Sequence, residues 1–215
     1  MVLKHTDIED VLVIYPDVHS DYRGYFWEVF NDKDFNEITN WKYNFHTVQM
    51  NESHSVANVI RGLHFQREEH AQAKLVRCTE GCVVDFAVDI REGSPTYGKF
   101  TYMVLNQEDH ALFFIPKGFA HGFLVLSPEA TFSYICDEAY DKESEAGIRW
   151  DDPEITFAGD LKLTIPNMVD SLLDSIEDVI VSEKDAKFLR LSEIYVGFND
   201  KTVPYPYTHN EIDEQ

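Results

Sequence analysis

Counting by two along the central segments of the chain groups Asp85 with Asp89, His121 with Phe123 and Val125, and Phe132 with Tyr134 and Cys136. If those faces turn into one cavity, His, Tyr, Lys and carboxylate groups meet among aromatic rings, the composition of a ligand site at a barrel mouth. Each polar residue also has a plainer reading. His121 serves equally well as a hydrogen-bonded interior histidine, and Tyr134 as a core tyrosine whose hydroxyl reaches a partner. Lys74, beside apolar Leu75 and Val76, can snorkel to solvent.

Metal binding is the first chemistry to weigh. Pro116-Lys117-Gly118-Phe119-Ala120-His121 resembles the second motif of the cupins, P-x-G-x-x-H. The first cupin motif supplies His-x-His and a later Glu, but this chain has His64-Phe65-Gln66. With Gln at the second position too few strong ligands remain for a transition metal. The expectation is a cupin-like shape with no metal.

The elements that would position these groups read as strands. Cys82–Ile90 alternates, with Val84, Phe86, Val88 and Ile90 on one face and Asp85, Ala87 and Asp89 on the other. Further strands are expected at 73–79, 100–105, 111–115, 121–126 and 131–136, separated by turn-formers such as Gly93-Ser94-Pro95 and Pro116-Lys117-Gly118. The rhythm predicts a mostly β sandwich or jelly-roll barrel, with a short helix near Asp32–Thr39. After Trp150 the pattern changes. Asn167 reads as an N-cap, and Val169, Leu172, Leu173, Ile176 and Ile180 recur at helical spacing, predicting a helical insertion about 167–180. Residues 1–194 are read as one domain and 195–215 as a tail.

Composition excludes several functions. The 215 residues carry 39 Asp and Glu against 18 Lys and Arg, a formal charge of −21. That is a poor match for nucleic acid or an anionic membrane, which are held by basic surfaces. No apolar run reaches the ~20 residues needed to span a bilayer, and no secretory leader is read at the start. Three cysteines, Cys78, Cys82 and Cys136, contain no CxxC pair, so a cytoplasmic, reducing setting is expected. The charge is uneven: residues 61–100 hold six basic and six acidic groups, whereas 137–215 hold seven basic and 20 acidic. This is either a solubilising surface or a repelling surround for a locally positive anion pocket.

Several segments, in order, carry a more specific signal: Asp21-Tyr22-Arg23-Gly24-Tyr25-Phe26-Trp27-Glu28, Gln49-Met50-Asn51, Ile60-Arg61-Gly62-Leu63-His64-Phe65-Gln66, Ala71-Gln72-Ala73-Lys74-Leu75-Val76-Arg77, Val88-Asp89-Ile90-Arg91, Ser94-Pro95-Thr96-Tyr97-Gly98, Ile115-Pro116-Lys117-Gly118-Phe119-Ala120-His121-Gly122-Phe123 and Ile148-Arg149-Trp150-Asp151-Asp152-Pro153. Together they closely resemble the dTDP-4-dehydrorhamnose 3,5-epimerase family over about residues 10–157, with a further match at Ser182-Glu183-Lys184-Asp185. The resemblance implies a metal-free cupin jelly roll, usually a homodimer, that needs no cofactor. It implies a dTDP-linked 4-keto-6-deoxy sugar as substrate. It also implies that His64 is the proton-abstracting base, Tyr134 the proton donor, Lys74 the group that stabilises the enolate oxygen, and Asp185 the carboxylate that orients the histidine. Arg23, Glu28, Gln49, Asn51, Arg61, His121, Glu145 and Lys184 fall where the family contacts the nucleotide-sugar, and Tyr140 where an aromatic stacks on the base. The chain departs from the family between Trp150 and Lys184, where it is longer, and at Ile135-Cys136, where the family is more polar.

These residue types suit the implied reaction. A proton on carbon beside a ketone is acidic because the carbanion delocalises as an enolate, and a histidine near neutrality can remove it. No redox step occurs, and neither a strand-borne GxGxxG nor a Walker-type loop is present. The rivals are a 3-only or 5-only epimerase, an epimerase of GDP-linked sugars, a sugar-nucleotide-binding cupin without turnover, and a metal-dependent cupin oxygenase.

Overall fold

A computed structural model describes residues 1–160, 162–172 and 179–197. In chain order the elements are β1 (Val2–His5), β2 (Leu12–Tyr15), β3 (His19–Asp21), β4 (Gly24–Phe26), α1 (Asp32–Ile38), β5 (Gln49–Val56), β6 (Ile60–Gln66), β7 (Lys74–Glu80), β8 (Cys82–Asp89), β9 (Lys99–Asn106), β10 (Leu112–Ile115), β11 (Phe119–Val125), β12 (Glu129–Cys136), β13 (Glu145–Gly147), β14 (Thr156–Phe157) and α2 (Ile165–Leu172). Two six-stranded sheets form, in the orders β1-β2-β10-β7-β12-β5 and β13-β6-β11-β8-β9-β14, with β3-β4 as a separate hairpin. The fold is a cupin-type jelly roll, mostly β as the alternation predicted.

The alternation has a further consequence, because both faces of the second sheet are buried. Val83 and Ala87 of β8 point between the sheets, where they meet Val76, Phe113, Phe123 and Phe132. Val84, Phe86 and Val88 point outward and are covered by Ile148, Ile155, Ile165, Met168, Val169 and Val196 of the C-terminal segment. On the outside of the first sheet, Leu12, Leu75 and Phe114 are capped by Phe35 of α1 and by Tyr43 and Phe45. Asn31 caps α1, its side chain accepting from the backbone N–H groups of Lys33 and Asp34.

The C-terminal helix differs from expectation. It begins at Ile165, because the Thr164 hydroxyl accepts from the Asn167 N–H and so takes the capping role assigned to Asn167. Ile180 is not helical: it bridges to Val59 in parallel, which ties the returning chain to the start of β6. Of the helical stretch expected to 180, Leu173 and Ile176 lie outside the described residues. So does the tail beyond 197; before it, the Tyr195 carbonyl accepts from Arg67 Nε at 3.1 Å.

Candidate active site

Polar side chains enter the space between the sheets from both walls. From the second sheet come His64 on β6 and His121 on β11, which are direct register partners. From the first come Lys74 on β7 and Tyr134 on β12. The two histidines approach closely because Gly62 sits at φ +107° with a Cβ position only 2.6 Å from the His121 carbonyl oxygen. Any side chain there would push β6 from β11.

His64 is held by Asp185, which reaches the site from the turn at Asp185–Lys187. His64 Nε2 lies 2.8 Å from Asp185 Oδ1. The other carboxylate oxygen accepts the Gly62 N–H at 3.0 Å, and the Asp185 N–H donates to Ser182 Oγ at 3.0 Å. Burial would raise the Asp185 pKa, but the His64 hydrogen bond and charge, with the Gly62 and Ser182 contacts, bring it below the ordinary 3.8. Asp185 is therefore a carboxylate at neutral pH. It accepts from Nε2–H and leaves the Nδ1 lone pair of His64 free to take a proton. The His64 side chain is 32% exposed, so it borders the opening.

Opposite stand the phenol and the ammonium. Tyr134 pairs in register with Asn51 on one side and Val76 on the other. Burial, with the Cys136 and Glu145 charges and against that of Arg61, raises its pKa and keeps the hydroxyl protonated. Lys74 is half-buried, its Nζ 6.0 Å from the Tyr134 ring centroid. Burial lowers its pKa, while the neighbouring Cys136, Asp85 and Glu145 oppose that shift. Behind His121 lies Asp85, with His121 Nε2 to Asp85 Oδ2 at 2.9 Å.

Around the mouth five of the expected contact residues form one hydrogen-bonded chain. Gln49 Nε2 donates to Asn51 Oδ1 (2.8 Å), and Gln49 Oε1 accepts the Tyr140 N–H (2.9 Å). The Tyr140 hydroxyl donates to Glu145 Oε2 (2.8 Å), and Glu145 Oε1 pairs with Lys184 Nζ (2.5 Å). Arg61 Nε donates to Ser55 Oγ at 2.9 Å, and its charge reaches Tyr134. Arg23 and Glu28 stand apart: Arg23 is at the tip of the β3-β4 hairpin, paired with Asp21, and Glu28 is exposed just beyond it. Neither has a hydrogen bond or ion pair to the cluster.

Asp89 departs from the face-counting, and Gln66 has a role of its own. Asp89, grouped with Asp85, belongs to a separate buried network in which its carboxylate accepts from Arg91, Ser94 and Thr96. Gln66, at the place of the missing cupin histidine, ties down the Tyr140 loop, its Oε1 accepting the Asp141 N–H at 2.9 Å. Sequence reasoning put Asp85 on a face that could enter the cavity but gave it no role, although a carboxylate in the middle of an apolar strand was the available signal.

Fold and site together define the class: a cupin-type jelly roll with acid–base groups in its interior, an isomerase. The chain belongs to the dTDP-4-dehydrorhamnose 3,5-epimerase family, whose model matches residues 5–193. It is similar to the dTDP-4-dehydrorhamnose 3,5-epimerase of Methanothermobacter thermautotrophicus, with 45% identity over 87% of this chain and 93% of that protein. The Escherichia coli K12 enzyme of the same name is 51% identical over 72% of this chain and 83% of its own length. Among solved structures, the dTDP-6-deoxy-D-glucose-3,5-epimerase of Legionella pneumophila, in complex with dTDP-4-keto-L-rhamnose, has a TM-score of 0.77 at 40% identity, covering 90% of this chain and 94% of that one.

Proposed function

We propose that this chain inverts carbons 3 and 5 of dTDP-4-dehydro-6-deoxyglucose, giving dTDP-4-dehydrorhamnose through an enolate. The observation that carries the reading is the placement of the His64–Asp185 pair on one wall of the cavity and of Tyr134 with Lys74 on the other. His64 Nδ1 takes the proton from the carbon beside the ketone, and the Asp185 carboxylate stabilises the imidazolium formed. Electrons from the broken C–H bond move to the carbonyl oxygen, where the Lys74 ammonium offsets the growing charge; one such donor is worth about 2.7–4 kcal/mol in other enzymes. The Tyr134 hydroxyl, kept protonated by burial, returns a proton to the opposite face.

Gln49, Asn51, Tyr140, Glu145 and Lys184 would hold the nucleotide-sugar at the mouth, with Arg61 and His121 contacting it further in. We further propose that the active form is a homodimer, in which Arg23 and Glu28, which stand apart from the cluster within one chain, reach the ligand. The edge strand β5 supports this, exposing Met50 at 65% and Val56 at 55%, as does the hairpin with Phe26 at 73%. We read residues 1–194 as one domain, acting in the cytoplasm, which the three free cysteines support. The test is incubation with dTDP-4-dehydro-6-deoxyglucose in deuterated water, followed by NMR. Deuterium entering at both carbons is expected. Entry at one carbon would make the enzyme a mono-epimerase, and entry at neither would overturn the reading.

A further inference from the structure

We infer that Phe188, seated on Gly147, is a positioning residue for His64; this rests on His64 being the base. Phe188 belongs to none of the three core clusters of the described residues. Its ring instead meets the His64 imidazole edge-on, with centroids 5.5 Å apart and planes at 86°. The same turn carries Asp185, since the Phe188 N–H donates to the Asp185 carbonyl at 3.1 Å. One short segment thus supplies both the carboxylate that grips Nε2 and the ring that stands beside the imidazole.

Gly147 is what lets the ring sit there. It is the register partner of His64 on β13, and a Cβ at 147 would lie within 2.7 Å of Cε2, Cζ and Cδ2 of the Phe188 ring. Its backbone is not left-handed, so the demand for glycine here is one of space. The neighbouring backbone is firmly tied: Ile148 exchanges both hydrogen bonds with Leu63, and the Arg149 N–H donates to the Leu189 carbonyl at 3.0 Å. Residues 147–149 therefore lie between β6 and the Phe188–Leu189 segment. A side chain added at 147 meets the ring first, and the ring is tied to Asp185 through the turn they share. Asp185 fixes one edge of the imidazole, and Phe188 limits its tilt and shields the Nε2–Oδ1 bond from water.

The experiment compares Phe188→Ala, Phe188→Leu, Gly147→Ala and the combined Gly147→Ala/Phe188→Ala with His64→Asn. The readouts are kcat, KM and the low-field proton signal of the His64 N–H bonded to Asp185. Phe188→Ala should lower kcat about tenfold with KM nearly constant, and Gly147→Ala about 100-fold, because ~1 Å of misplacement has that cost. The N–H signal should broaden in Phe188→Ala and return in Phe188→Leu. In the combined variant kcat should rise back to the Phe188→Ala level, since the clash is gone. Gly147→Ala costing the same with and without Phe188, or Phe188→Ala keeping full kcat and an unchanged N–H signal, would overturn the proposal. If Gly147→Ala does not fold, the Phe188→Ala and Phe188→Leu measurements decide alone. An active His64→Asn would instead remove the base assignment itself, whatever the Phe188 variants do.

Discussion

Two histidine–carboxylate pairs share the β6-β11 ladder, made of the same residue types and set to opposite states. In the His64–Asp185 pair both carboxylate oxygens accept hydrogen bonds and the histidine borders the opening. In the His121–Asp85 pair both partners are buried, and Asp85 Oδ1 has no hydrogen-bond partner. Burial drives the Asp85 pKa well above 3.8, against the pull of the Lys74 charge. Burial, reinforced by the Lys74 and His64 charges, drives the His121 pKa well below 6.5. The surroundings of the first pair favour a carboxylate beside the imidazole, and those of the second favour the uncharged form of each partner. Donors and water, rather than residue identity, separate a group able to stabilise a new imidazolium from one suited to a neutral hydrogen bond.

The largest expected effect breaks the comparison at the base. His64→Asn should reduce kcat by about 10⁴-fold, the upper range for removal of a general base, while nucleotide-sugar affinity, read by calorimetry, changes only a few-fold. Near wild-type turnover would show that the open pair is not the base.

Next come the two carboxylates, replaced in the same way. Asp185→Asn removes a charge in use and lets the amide donate to His64, favouring the wrong tautomer; kcat should fall about 10³–10⁴-fold. Asp85→Asn replaces a group whose burial favours its neutral form with a neutral amide, so kcat should fall less than about tenfold. Equal losses in steady-state assays would mean that the sealed pair is also charged during catalysis.

Tyr134→Phe sharpens the contrast between the two walls. The ring stays and the hydroxyl goes, so solvent exchange of the substrate proton should outlast net inversion, which should drop about 100-fold. Equal loss of both in NMR time courses would assign Tyr134 to binding or packing.

How much of this was legible follows from the range of each interaction. The strands were readable because alternation is local, as in Cys82–Ile90, and so was the short helix expected near Asp32–Thr39, found at Asp32–Ile38. That both faces of β8 are buried was not readable, because the segment covering it comes more than sixty residues later. The partnership of His64 with Asp185 was expected through a family resemblance, since nothing local links residues so far apart. The role of Phe188 had no signal, because its neighbours in the chain are exposed and its contact is across the fold. Asp89 was grouped with Asp85 because period-2 counting sees faces, not the end of a strand where Arg91, Ser94 and Thr96 close in. Arg23 and Glu28 were expected at the ligand through the resemblance alone, since Arg23 lies on a hairpin joined to neither sheet and Glu28 just beyond it.

The smallest effect concerns stability, and its sign separates the pairs most cleanly. A carboxyl whose folded pKa is depressed stabilises the fold above the unfolded value, and this is lost as pH falls through the folded pKa. Asp185 is of this kind, so Asp185→Asn should lower Tm at pH 7, with the difference shrinking as the pH falls from the ordinary 3.8 through the lower folded value. Asp85 is raised. Its contribution is fully present below 3.8 and is lost as pH rises through the folded value, because the unfolded chain releases a proton that the folded one retains. Asp85→Asn should therefore raise Tm at pH 7, with the gain shrinking as the pH approaches 3.8. The Oδ1 position, without a partner in the wild type, also loses no existing hydrogen bond when it changes. Thermal melts of the two variants and the wild type between pH 3 and 8 check both signs at once. Curves for Asp85→Asn and Asp185→Asn that shift the same way at pH 7 would show that the two carboxylates are held in the same state, and that the difference between the pairs lies elsewhere.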